Sequence, residues 1–233
     1  MRQYCIVILN RYPELARNLV TSIRRTHKQF QNILVVCDRH QEAIDDCKQI
    51  FLPGPFVFAR NVNAAMEYFP KDDIILVNDD CECVEEDFFP KLAAIADKYL
   101  NCGIMSPLID GGVGNVLQQY PKAPIWQKVN SPEIITDSTV CFPCVFINRD
   151  LIDKIGGLDE DYVGYGFDDN DYCFRAIEAG FRTMITSSLR IKHGSGGKEL
   201  HRGKNWSVSF ARETDLKSNM EIFLKKHPSF RLK

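Results

Sequence analysis

Two clusters of carboxylates stand out in this 233-residue chain for their spacing. The first, Asn78-Asp79-Asp80, follows directly on the apolar run from Ile74 to Val77. Carboxylates at the end of a buried strand supply oxygen donors with no thiolate requirement, which suits a hard divalent ion such as Mg²⁺ or Mn²⁺. Asp at a strand end is also ordinary turn chemistry, so the cluster alone leaves both readings open. The second cluster is Asp168, Asp169 and Asp171, three acids within four residues, placed after Gly164-Tyr165-Gly166-Phe167 and before a helical stretch ending at Gly180. One acid at a helix start is explained by capping and by the helix dipole, worth roughly 0.3–1 kcal/mol. Three are not, because each neighbour adds repulsion, and such crowding raises a carboxylate pKa toward the range useful to a general base. His193 closes a strand-like run just before Gly194-Ser195-Gly196-Gly197, with a metal, phosphate or structural role open to it.

These clusters sit in opposed blocks of charge. The stretch from Asp72 to Asp87 holds eight acids and no Lys or Arg, and that from Asp159 to Asp171 holds six acids, again with no Lys or Arg. From Arg190 to Lys233 eleven Lys and Arg face four acids, a local +7. The formal total of −2 therefore gives no global field to attract nucleic acid or an acidic membrane, while locally acids and bases are segregated.

The elements that must position them follow a repeating pattern. Residues 5–9, 32–37, 56–59 and 74–78 read as strands too continuously apolar to have one wet face, with helices near Pro13–Thr26 and 61–68 crossing between them. Residues 88–100 read as a helix, and the next 40 break into short pieces around Pro107, Gly111, Gly112, Gly114, Pro121, Pro124 and Pro132. A strand is expected within 138–148, helices near 150–155 and 170–180, and strands near 182–186 and 189–193. No long polar linker interrupts the chain. The expectation is one α/β domain over 1–233, a Rossmann-like, mixed but mostly parallel central sheet flanked by helices.

Other signals are weaker. Asp159, Asp161 and Gly164 fit an EF-hand at three positions, but Val163 and Asn170 occupy two ligand positions, which excludes it. The Cys141–Cys144 spacing reads as core cysteines rather than a zinc site. The late glycines lack P-loop or dinucleotide-fold spacing and read as a flexible lid. Nine cysteines, an odd number in a long chain, point to reduced thiols in an intracellular, cytoplasmic setting. The five-residue apolar run from Cys5 to Leu9 is too short for a leader or a membrane span, so a soluble protein with no integral membrane segment is expected.

Taken in order, Asn10-Arg11, the strand ending at Asp38, ARNVNAA at 59–65, ILVNDD at 75–80, GGLDEDY at 156–162, DDNDYCFRA at 168–176 and the late IKHGSGG resemble a family 2 type inverting glycosyltransferase of the GT-A fold. The resemblance runs from about Tyr4 to Gly197. It implies a nucleotide-sugar half over about 1–100, an acceptor and catalytic half over about 101–197, and a basic C-terminal lid and helix over 198–233. Asn10, Arg11, Asp38, Arg60, Asn78 and Asp79 resemble nucleotide-sugar contacts, with Asp38 on the base. The Asn78-Asp79-Asp80 run is similar to the DxD motif in its rhamnosyltransferase-like form, and Asp80 and His193 resemble the ligands of Mn²⁺ or Mg²⁺. Asp169 matches the general base. Tyr165, in the position of a galactosyltransferase Trp, and Asp168, a departure from the usual Glu, resemble acceptor contacts.

The implied partners are a nucleoside diphosphate sugar, UDP-linked by preference, and a glycan or glycoconjugate hydroxyl, with no nucleic acid. Direct inversion needs one base and no covalent nucleophile, and no Ser-His-Asp pattern is present. Three rival readings are a nucleotidyltransferase that makes sugar nucleotides, a non-catalytic carbohydrate- or nucleotide-binding module, and a pyrophosphate-cleaving hydrolase with acidic metal sites. The first would carry a Gly-rich basic loop after the first strand, where Asn10-Arg11-Tyr12-Pro13 stands instead.

Overall fold

The computed structural model describes residues 3–27, 30, 32–38, 42–111, 115–120, 133–136, 139–164, 166–194 and 208–230; of 133–136 and 208–214 it describes the backbone alone. Strand β1 (Tyr4–Asn10) is buried along its whole length and lies parallel to β2 (Ile33–Cys37) on one side and β4 (Asp73–Asn78) on the other. Its side chains alternate between two cores. Ile6 and Ile8 face helices α1 (Pro13–Thr26) and α3 (Phe88–Ala96), while Cys5, Val7 and Leu9 face α2 (Phe58–Tyr68), α4 (Arg149–Ile155) and α5 (Asp168–Glu178). Cover on both faces is what continuous apolar runs demand. Helix α1 starts with Pro at its first position and buries Leu15, Ala16, Leu19, Val20 and Ile23, one stripe at helical spacing.

The expected strand at 56–59 is corrected. Val57 is extended, but Ala59, Val62, Ala65 and Met66 recur at helical spacing and are buried, so the chain coils from Phe58. The strand there is instead β3 (Lys48–Phe51), at the edge beyond β2.

The second half also departs from the expected fragmentation. Strand β6 (Cys102–Asp110) runs nine residues through the interior of the sheet despite containing Pro107. Proline lacks the ladder donor and is tolerated at bulges. Its long neighbour β10 (Arg182–His193) supplies one, since register shifts between Ile185, opposite Ser106, and Arg190, opposite Leu108. The two short strands expected at 182–186 and 189–193 are therefore one irregular strand. Among the described residues of 138–148 the strand is β9 (Cys144–Ile147), which lies antiparallel between β4 and β6. The described sheet runs β3-β2-β1-β4-β9-β6-β10-β5, ending at β5 (Cys81–Cys83), with β7 (Gln119–Tyr120) on β6 and β8 (Glu133–Thr136) on β10. Helix α6 (Val208–Lys226) follows β10 in the chain. Among the described residues no helix is long and apolar enough to cross a membrane. None of the nine cysteines, all among the described residues, forms a disulfide.

Candidate active site

The carboxyl ends of the parallel strands β2, β1 and β4 lie side by side, with Cys37 opposite Asn10 and Asn78 opposite Leu9. Ligands of open α/β sheets bind at such an edge. Asn10 ends β1 and is buried; its Nδ2 donates to Cys37 Sγ at 3.5 Å, while its Oδ1 has no partner. Asp38 follows β2 directly, and a Cβ added to Gly54 would lie 3.3 Å from its backbone oxygen. Arg60, in the first turn of α2, donates from Nη2 to Pro55 O at 2.7 Å, next to Gly54. Arg60 Nε and Asn61 Nδ2 are buried without partners. Three of the buried unpaired polar atoms therefore belong to the strand end and helix start at this edge.

Asp79 joins two of its loops. Its Oδ2 accepts the backbone N–H groups of Arg11 and Tyr12, both at 2.7 Å, which fixes the turn after β1 to the turn after β4. Burial pushes its carboxyl up to about 7 against the pull of those two amides, with Asp80 adding to the rise. A carboxyl raised on folding favours the folded state most at acid pH, and that contribution is lost as pH rises from the unfolded value of about 4 through about 7. Asp79→Asn keeps an oxygen for both amides but cannot ionise. It should reduce the fall in stability across this window, whose slope is at most ~1.4 kcal/mol per pH unit for one proton. Urea unfolding of both proteins between about pH 4.5 and 7.5 measures the difference, and identical slopes would remove Asp79 from this role.

Asp80 meets His193 through sheet register. Strands β5 and β10 pair antiparallel with His193 opposite Cys81, so the imidazole arrives one residue from Asp80, and Nε2 lies 3.4 Å from Asp80 Oδ1. Both side chains are partly exposed. An adjacent carboxylate oxygen and imidazole nitrogen would fit two positions of a divalent ion. Among the described residues no group of three or more His, Cys, Asp or Glu side chains comes together in ligating geometry. Lys192 Nζ lies 3.5 Å from Glu82 Oε2 and so is engaged within the same strand pair.

Asp168 and Asp169 open α5, whose preceding residue Phe167 takes a left-handed conformation at φ 73°. Asp169 Oδ1 accepts from Asn170 N at 2.8 Å, and Cys141 hydrogen-bonds its side chain. Burial first and the Asp168 charge second push its carboxyl up to about 7. Burial also raises Asp168.

The segment from Thr139 to Cys144 ties the two acid clusters together. At one end Asn78 N donates to Pro143 O at 2.9 Å, and Val77 pairs with Cys144. At the other, Asn170 Nδ2 donates to Thr139 Oγ1 at 2.7 Å and Cys141 adjoins Asp169. Gln118, fully buried, holds this segment by its amide: Oε1 accepts from Cys141 N at 2.8 Å and Nε2 donates to Cys141 O at 3.0 Å. Sequence reasoning passed over Gln118 and treated Cys141 as core; neither polar glutamine nor cysteine announces such a role locally. Tyr165 and the basic residues 198, 202 and 204 lie outside the described residues.

No protein-family model matches the chain. A curated relative, the uncharacterized protein y4gI of Sinorhizobium fredii, is 25% identical over 181 residues, covering 69% of this chain and 20% of that protein, so the chain spans a fifth of its length. The solved structure of GalNAc-T7 with UDP, GalNAc and Mn²⁺ matches 84% of this chain and 45% of its own at 13% identity, TM-score 0.64. The mannosyltransferase PcManGT of Pyrobaculum calidifontis with GDP-Man and Mn²⁺ matches 83% of this chain and 57% of its own at 13% identity, TM-score 0.59. TarS 1–349 of S. aureus matches 86% and 62% at 12% identity, TM-score 0.56. The fold is the GT-A fold of glycosyltransferases, a mixed sheet flanked by helices.

Proposed function

We propose that this chain is a metal-dependent inverting glycosyltransferase that moves a sugar from a nucleoside diphosphate sugar, UDP-linked by preference, to a hydroxyl of a glycan or glycoconjugate. The observation that carries the reading is the Thr139–Cys144 segment, which links the strand end bearing Asn78-Asp79-Asp80 to the helix start bearing Asp169. A metal-type site and a raised carboxyl at one sheet edge are what a single displacement needs on its two sides.

Asn10, Arg11, Asp38 and Arg60 contact the nucleotide, and the unpaired atoms of Asn10 and Arg60 are the polar groups a nucleoside would satisfy. Asn78 and Asp79 face the ribose or sugar. Asp80 and His193 would hold Mn²⁺, with Mg²⁺ as the alternative, and an ion held there would supply positive charge to offset the negative charge growing on the departing diphosphate. Asp169 takes the proton of the acceptor hydroxyl as that oxygen attacks the anomeric carbon; the bond to the diphosphate breaks and the configuration inverts. Asp168 and Tyr165 contact the acceptor. Over 1–233 the first half holds the donor and the second half the acceptor.

Calorimetric titration with UDP, GDP, dTDP and CDP sugars, with and without Mn²⁺, tests the reading. One nucleotide class should bind at least about tenfold tighter with the ion, a gain of ~1.4 kcal/mol. Binding indifferent to Mn²⁺ across the panel would overturn it.

A further inference from the structure

The acid cluster at the start of α5 carries a third member that the proposed chemistry does not use. Asp171 is 1% exposed, and its oxygens are fully engaged. Oδ1 accepts from Tyr162 OH at 3.2 Å and lies 2.7 Å from His227 Nε2, while Oδ2 accepts from Arg175 Nε at 2.7 Å. Arg175 in turn donates to the carbonyls of Ile155 and Gly157. His227, immediately after α6, is thus bound to the helix that begins with Asp168-Asp169.

A second set of contacts holds the loop leading into that helix. Asn219, 3% exposed, donates from Nδ2 to Val163 O at 3.1 Å and to Gly166 O at 2.8 Å. The approach is close: a Cβ on Gly164 would fall 2.3 Å from Asp215 Oδ2, and one on Gly166 would fall 2.6 Å from Leu216 Cδ2, so both side-chain ends would have to swing away. Both glycines have positive φ, 85° and 90°, which other residues rarely adopt. Phe223, buried, packs against Phe167, Phe174 and His227. Lys226 bonds Asp159 and Asp161. Apart from the Phe223–His227 contact, every contact named for α6 and His227 falls on the loop 159–167 or on α5.

We infer that α6 and His227 are a positioning device for the Asp168–Asp169 pair, with Asn219 fixing the loop that delivers it and His227 fixing the helix that carries it. The inference rests on the proposed role of Asp169 only for its catalytic consequence; the mechanical part stands without it. A buried side-chain amide that bonds two carbonyls of one loop limits how that loop can pivot, and a misplacement of about 1 Å at a reacting group costs on the order of 10²-fold in rate. None of these contacts involves Asp80, His193 or a residue of the β1–β2–β4 edge.

The test uses the full chain with Asn219→Asp, which keeps the shape but replaces the donor by an oxygen, and with His227→Gln, which keeps a donor toward Asp171. Hydrogen exchange of amides 163–172 should accelerate at least about tenfold in Asn219→Asp and less in His227→Gln, while amides of α4 exchange as before. Affinity for UDP with Mn²⁺ should stay within about twofold, as should the KM for a UDP-galactose, UDP-N-acetylglucosamine or GDP-mannose donor, while kcat, read as nucleoside diphosphate release, falls at least about tenfold. Unchanged exchange at 163–172 in Asn219→Asp would overturn the inference, as would accelerated exchange with unchanged kcat on a donor that Asp169→Asn fails to turn over. If Asp169→Asn turns over normally while Asn219→Asp loosens the loop, the device stands and the base assignment fails.

Discussion

Asp169→Asn is expected to lower the rate of sugar transfer by about 10²–10⁴-fold, the range general-base catalysis contributes, while affinity for the donor with Mn²⁺ stays within about twofold. The substitution is close to isosteric. Its Oδ1 still accepts from Asn170 N, a bond of 2.8 Å in the native protein, so the first turn of α5 should hold. What is lost is the ability to take a proton. The wild-type pH profile carries its own signature. Burial first and the Asp168 charge second push the Asp169 carboxyl up to about 7, and a base acts only when ionised, so kcat/KM should rise as pH rises through about 7. That limb should vanish in Asp169→Asn. In Asp168→Asn it should move to lower pH, because removing the neighbouring charge lets Asp169 ionise more readily. Steady-state kinetics and donor calorimetry on the same preparations give both quantities, and equal losses of turnover and affinity would remove Asp169 from the base role.

The parts of this arrangement legible in the sequence are those fixed by burial on both sides. Strands β1, β2 and β4 are runs such as Ile6-Val7-Ile8-Leu9, buried on both faces, and continuous hydrophobicity announces them. Strand β3 is Lys48-Gln49-Ile50-Phe51 at a sheet edge, where half-exposed residues leave no such signal. Strand β6 was obscured by Pro107, tolerated only because β10 bulges beside it, a fact about the partner and not the segment. The site residues divide the same way. Asp80 and His193 are each visible as ligand types, but they are 3.4 Å apart because three residues, Cys81-Glu82-Cys83, pair with the end of β10. No local pattern encodes that register.

The segregated charge also resolves into structure. Within the basic tail Lys226 is bonded to Asp159 and Asp161, and His227 to Asp171. Part of the attraction between the acid block at 159–171 and the basic tail therefore goes into docking α6. Segregation read from sequence shows that opposite charges are available to meet, while which pairs meet is decided by packing: Phe223 seats the helix against Phe167 and Phe174, and the ion pairs follow.

Under the proposed function an ion held by Asp80 and His193 would neutralise a departing diphosphate near β5, where Lys192 is already 3.5 Å from Glu82. Asp80→Ala should then weaken Mn²⁺-dependent donor binding by about 100-fold, ~2.8 kcal/mol, and leave the weaker metal-free binding unchanged. His193→Ala should lose less, because a neutral imidazole contributes no charge to a hard ion whose other partners are oxygens. Asp79→Asn provides the contrast: its Oδ2 accepts the Arg11 and Tyr12 amides and it is not a proposed ligand of the ion, so the Mn²⁺ increment should persist. Calorimetry of each variant against UDP with and without Mn²⁺ separates the three. An unchanged increment in Asp80→Ala would move the ion away from this pair, and equal loss with and without Mn²⁺ would mean that Asp80 shapes the nucleotide site itself.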